Sequence, residues 1–228
     1  MILFQKRPDM KYDPDLFDFF LFDLDGTLTD PGEGITASVA YALKKFGITV
    51  KDKTELYSFI GPPLAESFRD FFGFSESERK RAVEYYREYY AERGIFENKP
   101  YDGIEETLRY LKKQGKTLAV ATSKPEKFSF LILEHFGLGG YFDAVCGATM
   151  SETRTNKADV IAYALETLSV PEKSRRRVLM IGDRKFDVTG AKENGIRSAA
   201  VLYGYGSEEE LRSCDPDFIF SSPRELCT

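Results

Sequence analysis

The spacing of apolar residues predicts alternating strands and helices through most of the chain. Short apolar runs predict strands at 19–23, 117–121, 144–146, 178–181 and 198–201, with an edge strand at 218–220. Between them, apolar residues spaced three or four apart predict helices at 104–115, 127–135, 157–168 and 185–194. This alternation indicates an α/β fold, a doubly wound, Rossmann-like parallel sheet.

Residues 30–100 interrupt that alternation with helices alone. Ile35, Val39, Leu43 and Phe46 lie on one helical face, and Gly61-Pro62-Pro63 breaks the pattern. A short second piece is predicted at 51–57 and a third helix at 64–72. A capping-box signature at Ser75 and Glu78 opens a fourth helix that continues to about Arg93. The sequence thus predicts a core of 1–29 and 101–228 and a small helical cap of 30–100, inserted after the first strand.

The first predicted strand ends in two acids. Asp23 and Asp25 stand on either side of Leu24 and are followed by Gly26 and Thr27. Two such carboxylates repel each other unless a cation lies between them or one is protonated. The pattern favours a hard metal ion and acid–base chemistry, although an ordinary Asp-Gly turn would have the same letters.

Two further predicted strands end in polar residues. Thr122 follows the strand at 117–121, and Asp183 follows the strand at 178–181. In an open parallel sheet, ligands bind in the crevice at the carboxyl ends of the strands. If these strands neighbour the first one, Asp23, Thr122 and Asp183 share that crevice.

Composition and charge exclude several classes of function. The net charge of −5 leaves no basic excess for nucleic acid, and no apolar stretch approaches the ~20 residues of a membrane span. The single histidine, His135, and three cysteines make neither a histidine metal site nor a disulfide framework. Residues 1–18 are expected to form an irregular leader without the features of a signal peptide, which makes the cytoplasm the expected location. The sequence does not indicate an oligomeric state.

Asp23-Leu24-Asp25-Gly26-Thr27 resembles the first motif of the haloacid dehalogenase-like hydrolase superfamily, most of whose members are magnesium-dependent phosphatases. Gly182-Asp183-x-x-x-Asp187 is similar to the fourth motif, while Thr122 and Lys157 stand at the second and third. The helical insert resembles the family's cap. Narrower likeness to phosphoglycolate phosphatases and 5′-nucleotidases lies in 60–64, 121–125 and 182–184; Asp102 departs from it, because a proline is more usual there.

The resemblance implies roles for the acids. Asp23 would attack phosphorus and become an aspartyl phosphate, while Asp25 would protonate the leaving alcohol and later activate water. Mg²⁺ would lie between Asp23, the backbone carbonyl of Asp25 and Asp183. Asp187 would hold a metal-bound water or Lys157.

The resemblance also implies contacts to the phosphoryl group. Thr122 would donate a hydrogen bond to the phosphoryl group, and Lys157 would offset negative charge. Backbone N–H groups near Leu24 and Ser123 would complete the cradle. Lys124 is a competing cation. Position in the chain, and not the resemblance, suggests Arg69 as a contact to an anionic group of the substrate, because it follows Gly61-Pro62-Pro63 on a short helix; a solvated surface arginine is the alternative.

The expected function is hydrolysis of a small phosphomonoester, such as a phosphoglycolate-like acid, a nucleoside monophosphate or a sugar phosphate. Asp25 argues against a dehalogenase, because the family's dehalogenases lack this second acid, and Thr27 favours a phosphatase over a phosphosugar mutase. A mutase, a pyrophosphatase and a non-catalytic module that binds phosphometabolites remain alternatives. The cap is expected to close over the crevice as a lid.

Overall fold

A parallel sheet forms the centre of the computed structural model, which describes residues 11–150 and 154–228. The strands are β1 (Phe19–Phe22), β2 (Thr29–Asp30), β3 (Lys99–Pro100), β4 (Thr117–Pro125), β5 (Ala144–Ala148), β6 (Val178–Gly182), β7 (Arg197–Val201) and β8 (Phe218–Phe220). Six of them pair in the order β5-β4-β1-β6-β7-β8, all parallel. The predicted α/β fold is confirmed.

The described part of the chain forms eight α-helices. They are α1 (Gly32–Lys45), α2 (Leu64–Phe72), α3 (Glu76–Tyr89), α4 (Ile104–Lys113), α5 (Glu126–His135), α6 (Lys157–Thr167), α7 (Lys185–Glu193) and α8 (Glu208–Ser213). A π-helical turn, Tyr90–Gly94, continues α3. The sequence did not predict α8, since Leu211 is its one buried residue and gives no periodic pattern.

The apolar run of β1 reflects its burial on both faces of the sheet. Phe20 and Phe22 pack into one hydrophobic cluster, and Leu21 packs into another on the opposite face. α4 covers the first face through Leu108, and α6 covers the second through Ile161. Because helices lie on both faces, β1 needs apolar residues at every position rather than at alternate ones.

The helical insert, α1 to α3 with the π-helical turn, lies between β2 and β3 in the chain. Those two short strands pair antiparallel, with Thr29 opposite Pro100. Within the insert, Phe59 packs against Phe68 with ring centroids 5.1 Å apart. The predicted capping box is confirmed, since Ser75 exchanges both of its hydrogen bonds with Glu78. The bounds of a separate cap domain stay a prediction.

The described part of the leader packs against the edge of the sheet. Phe17 is buried, and the ring of Tyr12 lies 4.8 Å from that of Phe220 in β8. Residues 1–10 lie outside the described residues. Within the described ranges, no helix combines the length and apolar character needed to cross a bilayer.

Candidate active site

Three strand ends meet at one edge of the sheet, as the sequence predicted. β1 lies between β4 and β6, with Phe22 level with both Val120 and Ile181. The residues that follow these positions therefore share the carboxyl edge. A cavity of about 110 Å³ opens there between the sheet and the helical insert. Its lining includes Asp23, Asp25, Thr122, Ser123 and Lys124 from the core, and Phe59, Pro62, Tyr86, Arg87 and Tyr90 from the insert.

Lys157 lies at the centre of a buried ionic cluster. Its Nζ is 2.8 Å from Asp23 Oδ1 and 2.9 Å from Asp187 Oδ1, and it donates a hydrogen bond to the Ala121 carbonyl. Burial by itself would lower the pKa of Lys157, but the Asp187 and Asp23 carboxylates raise it overall. The side chain is therefore a fixed cation beside the predicted nucleophile. Asn156, which caps the first turn of α6, sets its position.

Asp183 and Asp187 carry buried carboxyl groups held by neighbouring backbone. The backbone N–H of Tyr205 donates to Asp183 Oδ2 at 2.8 Å, and that of Arg184 donates to Asp187 Oδ2 at 3.0 Å. Burial, together with nearby Asp187 and Asp23, raises the pKa of Asp183 well above its usual range. Burial also raises the pKa of Asp187 to about 6, against the opposing attraction of Lys157. One ammonium group, that of Lys157, therefore faces three buried carboxylates, those of Asp23, Asp183 and Asp187.

A divalent cation fits this deficit. Oxygen atoms of Asp23, Asp183 and Asp187 all lie within 4.8 Å of one another, and all three residues are buried. Mg²⁺ prefers such oxygen ligands, and its charge would offset the repulsion that raises the pKa of Asp183. The donor set thus fits the predicted magnesium.

Two glycines of the motifs permit this close packing of carboxylates. Gly26 has a φ of +82°, and a Cβ there would stand 2.2 Å from Asp183 Oδ2. A Cβ on Gly182 would stand 2.0 Å from the Asp187 carboxyl carbon. Any larger residue at either position would displace an acid of the cluster.

Asp25 forms a second ionic contact, with Lys124. The two side chains make a close salt bridge and are 13% and 7% exposed. Burial raises the pKa of Asp25, and the Lys124 ammonium opposes that shift. Lys124 therefore does not compete with Lys157: each lysine pairs with a different acid of the first motif. Both lysines are visible in the sequence. Which acid each of them pairs with is not, because the pairing depends on how β4 and α6 pack beside β1.

Thr122 and Ser123 lie on the same cavity wall. Thr122 is 2% exposed, and its Oγ1 accepts the backbone N–H of Lys124 at 3.2 Å. On the facing strand end, the Leu24 N–H donates to Asp23 Oδ1 at 2.8 Å. Both hydrogen bonds are internal to the protein, and they hold the Thr122 hydroxyl and the Asp23 carboxylate on the lining of the same cavity.

The structure does not bring Arg69 to this cavity. Its side chain is 53% exposed, and its guanidinium pairs with Asp70, 2.7 Å away. The reason is the direction of α2, which buries Ser67 and Phe68 and turns Arg69 outward. Instead, Arg87 of α3 is the arginine of the insert that lines the cavity.

Tyr86 and Tyr90 also line the cavity, although their spacing is typical of a helix packed into a core. Both are buried, and their rings stack with centroids 5.2 Å apart. The i, i+4 spacing could have shown that they share a face. It could not have shown that this face meets the carboxyl edge of the sheet.

Residues 20–201 match the family described as haloacid dehalogenase-like hydrolases. The chain belongs to this family. The match covers the strand ends, the four motif positions and the helical insert, and it confirms the family resemblance found in the sequence.

The chain is similar to relatives that carry different functional names. A 5′-nucleotidase of Pseudomonas aeruginosa is 46% identical over 86% of the chain and 87% of its own length. A phosphoglycolate phosphatase of Aquifex aeolicus is 34% identical, with 90% and 93% covered. A tyrosine-protein kinase, PtkA, of Mycobacterium tuberculosis is 42% identical over 82% of the chain, which spans 62% of that relative.

A solved structure, a predicted phosphatase from Clostridium acetobutylicum, superposes with a TM-score of 0.88. It is 49% identical and covers 92% of this chain and 96% of its own. Together with the family match and the phosphatase relatives, it identifies the chain as a phosphatase of this family.

The buried cation leads to a prediction about stability. In EDTA, Lys157→Met leaves the Asp23 and Asp187 carboxylates buried without a cation, and the free energy of unfolding should fall by about 3–5 kcal/mol. Urea unfolding followed by circular dichroism measures the change. Lys80→Met is the matched control, because Lys80 pairs with Glu76 on an exposed helix face and should leave stability unchanged. Equal losses in both variants would contradict the ionic assignment.

Proposed function

We propose that the protein is a Mg²⁺-dependent phosphatase that hydrolyses a small phosphomonoester through an aspartyl phosphate on Asp23. The observation that carries the proposal is the placement of two acids, Asp23 and Asp25, on one cavity wall with different partners. Asp23 belongs to the acidic cluster with Asp183 and Asp187 and pairs with Lys157. The Asp25 side chain pairs instead with Lys124. One acid is thus placed for nucleophilic attack and the other for proton transfer.

The reaction proceeds in two steps. An oxygen of Asp23 bonds to phosphorus while the ester P–O bond breaks, and Asp25 gives its proton to the departing alkoxide. Asp25 then takes a proton from a water that attacks the aspartyl phosphate. This second step releases inorganic phosphate and restores the Asp23 carboxylate. Burial raises the pKa of Asp25, which favours the acid form needed in the first transfer, and the Lys124 ammonium opposes that shift, which favours the carboxylate needed in the second.

The charge of the phosphoryl group sets the roles of the neighbouring residues. Lys157 supplies a fixed positive charge, and the Thr122 hydroxyl with the Ser123 backbone N–H supplies hydrogen bonds. Mg²⁺ bound by Asp23, Asp183 and the Asp25 carbonyl would draw negative charge from the phosphoryl oxygens. Asp187 supports this arrangement through its ion pair with Lys157.

Contacts between the helical insert and the sheet support a closed site. Arg184, at the start of α7, donates a hydrogen bond to the Ile60 carbonyl of the insert and pairs with Glu210 at 3.1 Å. Tyr205 donates a hydrogen bond to Asp30 at the junction of insert and core. A closed site excludes water while the aspartyl phosphate exists, as the lid hypothesis requires.

The size of the cavity and the names of relatives support a small substrate. About 110 Å³ suits a small leaving group and not a folded phosphoprotein. The named relatives point to nucleoside monophosphates and phosphoglycolate-like acids, and sugar phosphates share the same chemistry. A phosphosugar mutase or a pyrophosphatase is the alternative within the same fold.

A panel of substrates with Mg²⁺ tests the proposal. We expect inorganic phosphate from small phosphomonoesters and from para-nitrophenyl phosphate, and none from a folded phosphoprotein. Isomerised sugar phosphate without phosphate release would indicate a mutase, and preference for inorganic pyrophosphate would indicate a pyrophosphatase. Tight binding without any turnover would contradict an enzyme altogether.

A further inference from the structure

Tyr90 lines the cavity, and its buried hydroxyl group has no hydrogen-bond partner among the described residues. The residue is 2% exposed. Burial raises the pKa of Tyr90, so the hydroxyl keeps its proton and can donate. A buried, unpaired hydroxyl costs free energy, and a bound ligand that accepts its hydrogen bond would recover that cost. Its place in the cavity lining makes a substrate the natural partner.

A second unpaired atom lines the same cavity. Asp25 Oδ1 is buried and has no hydrogen-bond partner among the described residues, while Oδ2 of the same carboxylate pairs with Lys124. The Lys124 ammonium in turn lies 5.0 Å from the centre of the Tyr90 ring. Tyr90 is therefore near the acid that protonates the leaving group. A ligand with more than one oxygen could pair with both unpaired atoms, the Tyr90 hydroxyl and Asp25 Oδ1.

Backbone contacts fix the position of Tyr90. The residue begins the π-helical turn Tyr90–Gly94, a geometry frequent at functional sites. Gly94 lies against α1 so closely that a Cβ on Gly34 would stand 1.9 Å from its carbonyl oxygen. A Cβ on Gly94 itself would stand 2.6 Å from Ser38 Oγ. This contact holds the turn, and thus the Tyr90 ring, at a set distance from the cavity.

We propose that Tyr90 is a specificity residue that recognises the leaving group of the substrate. Its hydroxyl hydrogen-bonds to an oxygen on the carbon next to the one that carries the phosphate ester. The preferred substrates are then phosphomonoesters of hydroxylated or carboxylated alcohols, and simple aryl phosphates are accepted without this contact. The inference rests on the proposed function, because it assigns a substrate class to the same site.

The test compares Tyr90→Phe with wild type on two kinds of substrate. For glycerol 1-phosphate, which carries the neighbouring oxygen, kcat/KM should fall roughly ten-fold, the worth of one hydrogen bond. For para-nitrophenyl phosphate, which lacks it, kcat/KM should stay unchanged. Tyr89→Phe is the matched control: its hydroxyl bonds to Glu97 at 3.0 Å, and it does not line the cavity. This control should leave both values unchanged.

Three outcomes overturn the inference. Unchanged kinetics in Tyr90→Phe on both substrates would show that the hydroxyl contacts no ligand. An equal loss on both would show that Tyr90 acts on the shared phosphoryl chemistry and not on the leaving group. In both cases wild-type turnover leaves the proposed function intact. If wild type hydrolysed neither substrate with Mg²⁺, that result would refute the proposed function and this inference with it.

Discussion

Asp23→Asn is expected to abolish phosphate release, with kcat falling roughly 10⁴-fold or more, as losses of covalent nucleophiles do. The amide is close to isosteric with the carboxylate, but it is neutral and cannot displace the alcohol from phosphorus. It also removes one side of the ion pair with Lys157, 2.8 Å away. Steady-state phosphate release and mass spectrometry of acid-quenched enzyme measure the effect. Wild type should show phosphorylation at Asp23, and the variant should show none.

Two companion variants sharpen this result. Asp25→Asn should retain the nucleophile and lose about 10²–10⁴ in kcat, with the greatest loss for poor leaving groups that need a proton. Asp70→Asn should leave kcat unchanged, because Asp70 is exposed and pairs with Arg69 outside the cavity. Substantial turnover by Asp23→Asn would contradict the covalent route.

The outward position of Arg69 can be tested separately. A change of KM in Arg69→Ala would restore Arg69 as a substrate contact.

Removal of divalent metal is expected to eliminate turnover, and Mg²⁺ or Mn²⁺ should restore it. Four carboxylates, those of Asp23, Asp25, Asp183 and Asp187, share this region with two lysines, so a phosphate dianion meets excess negative charge. That repulsion is strong in a buried site. Assays in EDTA and after addition of Mg²⁺ measure the effect, and full activity in EDTA would defeat the metal assignment.

Thermal stability gives a second readout that is independent of turnover. Ligand that binds the folded state alone stabilises it, by about 2.7 kcal/mol at 100 times its Kd, so Mg²⁺ should raise the Tm of wild type. Asp183→Asn should lose most of that increase, because Asp183 contributes to the acidic cluster. Asp70→Asn should keep all of it. An equal Mg²⁺ effect in both variants would place the ion elsewhere.

The sequence determined the layers of the fold and the carboxyl edge of the sheet. β1 needs apolar residues at every position because it is buried on both faces, and that pattern is visible in 19–22. Helical spacing predicted α2 with its observed bounds, Leu64–Phe72. Polar residues that end apolar strands, such as Asp23 and Asp183, showed where a ligand site would form.

The tertiary structure alone decided which charges pair and which cap residues reach the cavity. Asp25 pairs with Lys124 near the end of β4, and Asp23 pairs with Lys157 at the start of α6. These pairs join segments that are 99 and 134 residues apart in the chain. Arg69 turns outward while Tyr90 lines the cavity, because the packing of α2 and α3 sets those directions. Local patterns determine which face of a helix is apolar. Only long-range packing determines what that face meets, since the contacts join residues far apart in sequence.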